Sequence, residues 1–547
     1  MKKIRLVTML LATAAFALTA CNKESGGSAS VKGKAFLYDQ TNYISTYRSM
    51  RILGNGYTTE NFTRVTNDNG SYFAVTNAKT LIVGVDFTDY PAADLPKGEQ
   101  GTLEDLRKAV LGKSEETGWE SLKSYYEKSS FGTCKIDGYV VPEWYHTNCT
   151  ITEFANGAHT GGAKSNDATK ALTLKVEDWA KEKGINLKDY DANEDGFIDC
   201  IIMVYSCEPH VKKSGKAVDD DLYWAFCWSN DNNASKANLE NPASYRFFWA
   251  SYYTFYEDGY YDESGAYHDW TKAQIVSGEA KLDAHTLIHE FGHALSLPDY
   301  YNGDYNSSDP YAYDPLGGLD MMAYNVGDHN AFSKALYGWI APYLVYGEST
   351  VTIRSTTDTG DFIVIPTEYM YDPNKEFTLL SQYVMIEFLT PTGVAYADSL
   401  DAYAGNYPIW FSKAGVRVTH VDARMGRFGY DGKFQGITGS VSSGSGYYVR
   451  FAADNNSIER SYNKKAKIIE ILSADEIAAK TLRQASNDSL YQEGDEFNTG
   501  SATSKWNNFC VNNNAGERTK KFNFGFKIEK MTKDSVTISF TGENPED

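Results

Sequence analysis

Apolar positions along residues 76–345 change period repeatedly. "TLIVGVDF" (80–87) is a continuous apolar run ending in a carboxylate, which predicts a buried strand. "TLEDLRKAVLG" follows with Thr102 and Asp105 in capping-box spacing, so a helix is expected to start there. "GWESLKSYYEKSSFG" predicts a second helix closed by Gly132, and "CKIDGYVVPEWY" returns to strand character. "DATKALTLKVEDWAKEKG" places Ala168, Leu172, Val176 and Trp179 on one helical face, with Gly184 as its stop. "FIDCIIMVYS" (197–206) is a strong strand. From about residue 345 the pattern shifts to short strands between turn residues, among them "TVTIRSTT", "YVMIEFLT", "GVRVTHVDA" and "DSVTISFTG". The expectation is an α+β domain over 76–345, with a twisted sheet, followed over 346–547 by an all-β sandwich or jelly-roll domain. Residues 34–75 are mixed and polar, an N-terminal segment or a pro-region.

The first twenty residues pair Lys2, Lys3 and Arg5 with an apolar stretch and then small residues, the layout of a secretory signal. Leu18-Thr19-Ala20-Cys21 also has the form of a bacterial lipobox, in which Cys21 would be acylated; an ordinary cut near Ala20 is the alternative. Residues 21–33 form a flexible tether. This predicts an exported lipoprotein at the outer membrane or cell surface, touching the membrane only through its anchor. The net charge of -20 argues against nucleic acid as a partner. A monomer is expected. Beyond Cys21 there are six cysteines, and export permits disulfides. Proximity in sequence suggests Cys134 with Cys149, and Cys207 with Cys200 or Cys227.

The chemistry concentrates in "HEFGHALSLPDYY" (289–301). His289 and His293 are one helical turn apart, so both imidazoles lie on one face and can hold one zinc ion. Glu290 is rotated by about 100°, outside the ligand set but beside it, where a general base belongs. Asp299 comes too soon for a later helix. Pro298 ends the helix near Leu297 and turns the chain back. A carboxylate is an acceptable third zinc ligand; a turn or capping Asp is the alternative. Ser296 stands where a glycine would ease the turn with a positive φ. Downstream, "GGLDMMAYN" suggests a methionine turn of the metzincin type, with Met322 the platform under the metal and Met321 its rival. Tyr324 could polarise a substrate carbonyl, or be a plain core tyrosine. Asp283 can cap the helix. His285 is expected at the surface or behind the ligands, and His420 within a strand.

These stretches together resemble the M6 metalloproteases of the immune inhibitor A type. The resemblance rests on "HEFGHALSLPDYY", "GLDMMAYN" and "NAFSKALYGWI", with "LIVGVDFTD", "SLKSYYEKSSFGTCKIDGYVVPEWY", "YVMIEF" and "GVRVTHVDA" in support, and runs from about 80 to 425. It implies zinc on His289, His293 and Asp299 with Glu290 catalytic. Ser296 for Gly, Leu319 for Trp, and Tyr324 where a Gly is commoner depart from the family pattern. A second constellation, "DYDANEDGFIDC", has Asp191, Asn193, Asp195, Gly196 and Asp199 in calcium-loop spacing, with the Phe197 carbonyl as a further ligand; the twelfth position is Ile202, not Glu. The expected function is a zinc endopeptidase acting on protein or peptide, with structural calcium. The alternative is a catalytically inactive surface protein that binds host protein or glycan on a peptidase fold.

Overall fold

The computed structural model describes residues 77–542 apart from 193, 231–232, 234–236, 257–258, 305–306, 347, 367–378, 404, 440–443, 478–483, 505, 507–509, 513–517 and 522–523. Upstream it describes three short strands, Lys34–Leu37, Arg64–Asn67 and Gly70–Phe73. The signal, Cys21, the tether, most of 34–75 and Asn193 lie outside the described residues.

The first sheet is built from β1 (Asn77–Asp86), β2 (Lys135–Val140), β3 (Cys200–Tyr205), β4 (Phe226–Ser229) and β5 (Arg246–Ser251). Their order is β4-β5-β3-β1-β2, with the short strand Tyr145–His146 beside β1. All neighbours run parallel except β4, which pairs antiparallel with β5 at the edge. Helices cover both faces, which is why β1 and β3 are apolar at consecutive positions. Successive side chains serve opposite faces. Ile82, Ile202 and Val204 join a core with α1 (Gly98–Leu111), α2 (Leu122–Ser129) and the later helix α4 (His285–Ala294). Leu81, Val83, Ile201 and Met203 meet Ala168, Leu172 and Val176 of α3 (Asn166–Glu182) on the other side.

That division corrects the disulfide expectation. Cys134, Cys149, Cys200, Cys207 and Cys227 are all free thiols. Cys134, Cys200 and Cys227 belong to one face of the sheet, Cys149 and Cys207 to the other. Each pairing suggested by sequence proximity would have to cross the sheet. The start of α1 also differs. It begins at Gly98, so Thr102 and Asp105 are interior and buried rather than a capping box. The Asp105 carboxylate instead accepts from Lys97, Tyr252 and Tyr256.

Further along come β6 (Tyr343–Tyr346), β7 (Phe362–Pro366), β8 (Gln382–Leu389), β9 (Gly415–Asp422), β10 (Met425–Gly429), β11 (Phe434–Thr438), β12 (Tyr447–Phe451) and β13 (Ile469–Ile471). The Lys34–Leu37 strand, β6, β7, β8, β9 and β13 form a second six-stranded sheet in that order, and β10 pairs with β11 and β12. One face of this sheet packs on the four-stranded sheet that carries Val351, Phe526 and Ile538, through Ile386 and Val418. Its other face contributes Tyr383, Met385, Val421 and Ile469 to the core that holds α4. One apolar core therefore continues across residue 345, and the second sheet backs the helix that carries the histidines. Short helices, Thr356–Thr359 and Tyr396–Ser399, interrupt the strands of this region.

Candidate metal centre

α4 packs Leu287, Ile288, Phe291 and Ala294 into the core, which leaves His289 and His293 facing the turn that follows. His289 Nδ1 donates to the Met321 carbonyl at 2.8 Å, and His293 Nδ1 donates to the Leu297 carbonyl at 2.8 Å. A carbonyl can only accept, so both rings carry a proton on Nδ1 and turn Nε2 away from these carbonyls. The two Nε2 atoms lie 3.2 and 3.1 Å from Asp299 Oδ1. Among the described residues, this is the only group of three or more His, Cys, Asp or Glu whose ligand atoms all lie within 4.8 Å of one another. The sequence-derived triad is thus brought together.

The turn between the second histidine and Asp299 is a Schellman motif. Ser296 N–H donates to the His293 carbonyl and Leu297 N–H to the Gly292 carbonyl. Ser296 has φ 75°, the left-handed conformation a glycine would adopt without strain. The serine does not alter the turn; it accepts the conformation at a cost of about 1–2 kcal/mol. The same turn aims the Leu297 carbonyl at His293.

Residues 321–322 fasten the other side. A Cβ on Gly292 would lie 2.4 Å from Met322 Sδ, so this glycine is required where the helix rests on the methionine. Met322, the methionine expected at this turn, thus lies against the helix at Gly292. The backbone does as much: the Met321 carbonyl orients His289, and the Met322 carbonyl accepts from Tyr300 N–H at 2.7 Å, next to Asp299. Asp320 caps this turn through Met322 N–H and also accepts from Asn330. Burial pushes its carboxyl up to about 6, against the pull of Arg417. Arg417 of β9 donates to the Leu319 carbonyl and to Glu387 of β8, and the other Glu387 oxygen accepts from Ala331 N–H. The sequence marks both strands but neither of these side chains.

Glu290 projects toward edge strand β4, where Cys227 N–H donates to its Oε2 at 2.8 Å. Burial raises its affinity for a proton, opposed by His293 and His289. Burial pulls the His293 imidazole down, but Asp299 and Glu290 outweigh it and leave it raised to about 9. Burial pushes Asp299 up, yet the two histidines hold its carboxyl far below the usual carboxylate range. The three groups are thus electrostatically coupled to one another.

Other expected residues are placed differently. The Tyr324 hydroxyl donates to Asp314, and its ring stacks on Tyr301, whose ring in turn lies 6.3 Å from His289. His285 is fully buried, not at the surface. It lies between Asp283 and Asp398, and Asp283 accepts the His285 N–H rather than occupying the N-cap, which is Ala284. His420 is buried in β9 between Glu470 and Gln382, as expected. In the acidic turn, Asp191 accepts from Asp195 and Gly196 N–H, Asp195 from Phe197 N–H, and Asp199 Oδ2 from Lys79 and Ala192 N–H. Asp199 Oδ1 is buried without a hydrogen-bond partner.

Residues 68–316 match the family model described as immune inhibitor A peptidase M6, catalytic domain. Immune inhibitor A of Bacillus thuringiensis subsp. alesti is 23% identical over 254 residues, which cover 42% of this chain and 34% of that protein. The chain thus spans about a third of the length of the curated relative it matches. The matched segment includes the histidines, Glu290 and Asp299, while the methionine turn lies just beyond it. Over residues 68–316 the chain is therefore similar to the catalytic domain of the immune inhibitor A, M6 peptidases.

Proposed function

We propose that the chain is an exported zinc endopeptidase in which His289, His293 and Asp299 hold the metal and Glu290 is the general base. The observation that carries this reading is the convergence of two Nε2 atoms on one Asp299 oxygen, with the Glu290 carboxylate coupled to both histidines. Two imidazoles and one carboxylate are a donor set suited to zinc with a position left open. When bound there, zinc supplies Lewis-acid chemistry, polarising a carbonyl and making water a stronger acid.

The chain's own groups do the rest. The Met321 and Leu297 carbonyls hold the imidazoles in the tautomer a metal needs. Glu290 takes the proton of the attacking water and passes it to the leaving amine, a task helped by a carboxyl whose proton affinity burial has raised. β4 has β5 on one side only, so an extended peptide can add to its outer edge beside Glu290. Tyr324 joins this proposal as a hydroxyl that would exchange Asp314 for substrate. A calcium ion in the 191–199 turn is a further part, supported by the orphaned Asp199 Oδ1. So is anchoring through Cys21; no helix among the described residues is long and apolar enough to cross a membrane. The match to a peptidase family does not favour the inactive binding protein.

The test is Glu290→Gln. Metal analysis should find zinc retained, and cleavage of a peptide library should fall by about 10³-fold or more. Cleavage at wild-type rate would remove Glu290 from the mechanism.

A further inference from the structure

A cleft of about 640 Å³ opens from His293 and Asp299. Cys227 and Trp228 of β4, the Ser296–Pro298 turn and Arg246 of β5 line it near the catalytic sheet. Arg450 at the end of β12, with Asp454 and Arg460 just after it, lines the far wall. The cleft is therefore assembled from residues more than 200 positions apart, and its far wall lies beyond the segment that matches the peptidase family.

The charge of this cleft is opposite to that of the chain. Overall the protein carries -20. The far wall of the cleft holds two guanidiniums, Arg450 and Arg460, against one carboxylate, Asp454. Asp454 alone serves two of the arginines, at 3.5 Å from Arg450 and 3.3 Å from Arg460. Arg450 is held rigidly. Its guanidinium lies 3.9 Å from the centre of the Phe428 ring and donates to the carbonyls of Phe451 and Arg460. A fixed, planar guanidinium in a partly desolvated wall is suited to bind a carboxylate through charge-assisted hydrogen bonds.

We propose that this cleft selects a carboxylate on the peptide substrate close to the scissile bond, with Arg450 and Arg460 as specificity-determining residues. This rests on the peptidase reading above. The carboxylate has two sources, an Asp or Glu side chain or the C-terminal group of the peptide.

The experiment uses the zinc-loaded full chain and matched peptides with Glu or Gln at each position around the cleavage site, each with a free or an amidated C-terminus. The expected result is a kcat/KM at least about tenfold higher for Glu than for Gln at one position, the size of one charge-assisted hydrogen bond. The exposed Arg460→Glu variant and the volume-conserving Arg450→Gln variant should each collapse that ratio. A ratio is unaffected by loss of folded enzyme, so a merely destabilised variant cannot mimic the result. Dependence on the free C-terminus instead of the side chain would assign the cleft to the α-carboxylate. Cleavage indifferent to both would overturn the cleft assignment and leave the peptidase reading standing. No cleavage of any peptide would overturn both.

Discussion

The Nε2 of His285 lies 3.1 Å from Oδ1 of Asp398, 113 residues away, while its Nδ1 lies 2.7 Å from Asp283. The ring is stacked between Trp119, at 3.7 Å, and Tyr407, at 4.3 Å. The second Asp398 oxygen accepts from Gly327 N–H, and the second Asp283 oxygen from the Tyr407 hydroxyl. The first residue of α4 is thereby tied to the segment after the methionine turn and to residues 398–407.

This arrangement predicts a pH dependence of stability. Burial lowers the His285 pKa, but Asp398 and Asp283 outweigh it and leave it raised to about 9. That is above the unfolded value of about 6.5, so the stabilisation is complete below pH ~6.5 and is lost as pH rises through about 9. The loss should reach up to ~3 kcal/mol. Urea midpoints measured between pH 6 and pH 10 should fall for the wild type and fall much less for Asp398→Asn. Parallel curves for the two proteins would refute the role of the pair.

Ser296 gives a second prediction. Its φ of 75° costs a non-glycine residue more than a glycine, partly offset by the extra freedom glycine has when unfolded. Ser296→Gly should therefore stabilise the protein by about 0.5–1 kcal/mol, with zinc content unchanged. Denaturant unfolding with zinc analysis checks both. A loss of stability would mean that contacts of the serine side chain exceed the relief of strain.

The sequence carried the site's local part. The spacing of His289, Glu290 and His293 and the return to Asp299 are consequences of helix period and a local turn within thirteen residues, though the helix stops at Ala294, earlier than Pro298 suggested. What it could not carry was long-range. Asp398 reaches His285 across 113 residues, and Arg417 reaches the Leu319 carbonyl across 98. Nothing local marks a buried charge whose partner comes from another sheet. The suggested disulfides failed for the same reason, because neighbours in sequence can face opposite sides of a sheet. Thr102 and Asp105 misled because α1 starts without any side-chain cap, at Gly98.

Asp299 yields a third prediction, about the metal alone. Its Oδ1 is the point on which both Nε2 atoms converge, so Asp299→Ala removes one of three donors. Zinc affinity should drop by at least about a hundredfold, the upper end of what loss of an outer-shell partner costs. Competition with a chromophoric chelator measures it. Affinity within a few-fold of wild type would show that another residue completes the set.

The last prediction concerns Asp199. Its carboxylate is buried, one oxygen is bound by Lys79 and Ala192 N–H, and the other has no hydrogen-bond partner. Burial pushes its pKa well above the ordinary carboxylate value, with Asp195 and Asp191 adding to the rise and the two backbone donors opposing it. A hard cation at the orphaned oxygen would reverse that balance for Asp199. If calcium occupies the turn, chelating it while zinc stays bound should lower Tm by several degrees in the wild type. Asp199→Asn, which keeps the shape but not the charge, should start lower and lose little more on chelation. Should chelation leave the wild type unmoved, the turn is held without calcium by the hydrogen bonds of Asp191, Asp195 and Asp199.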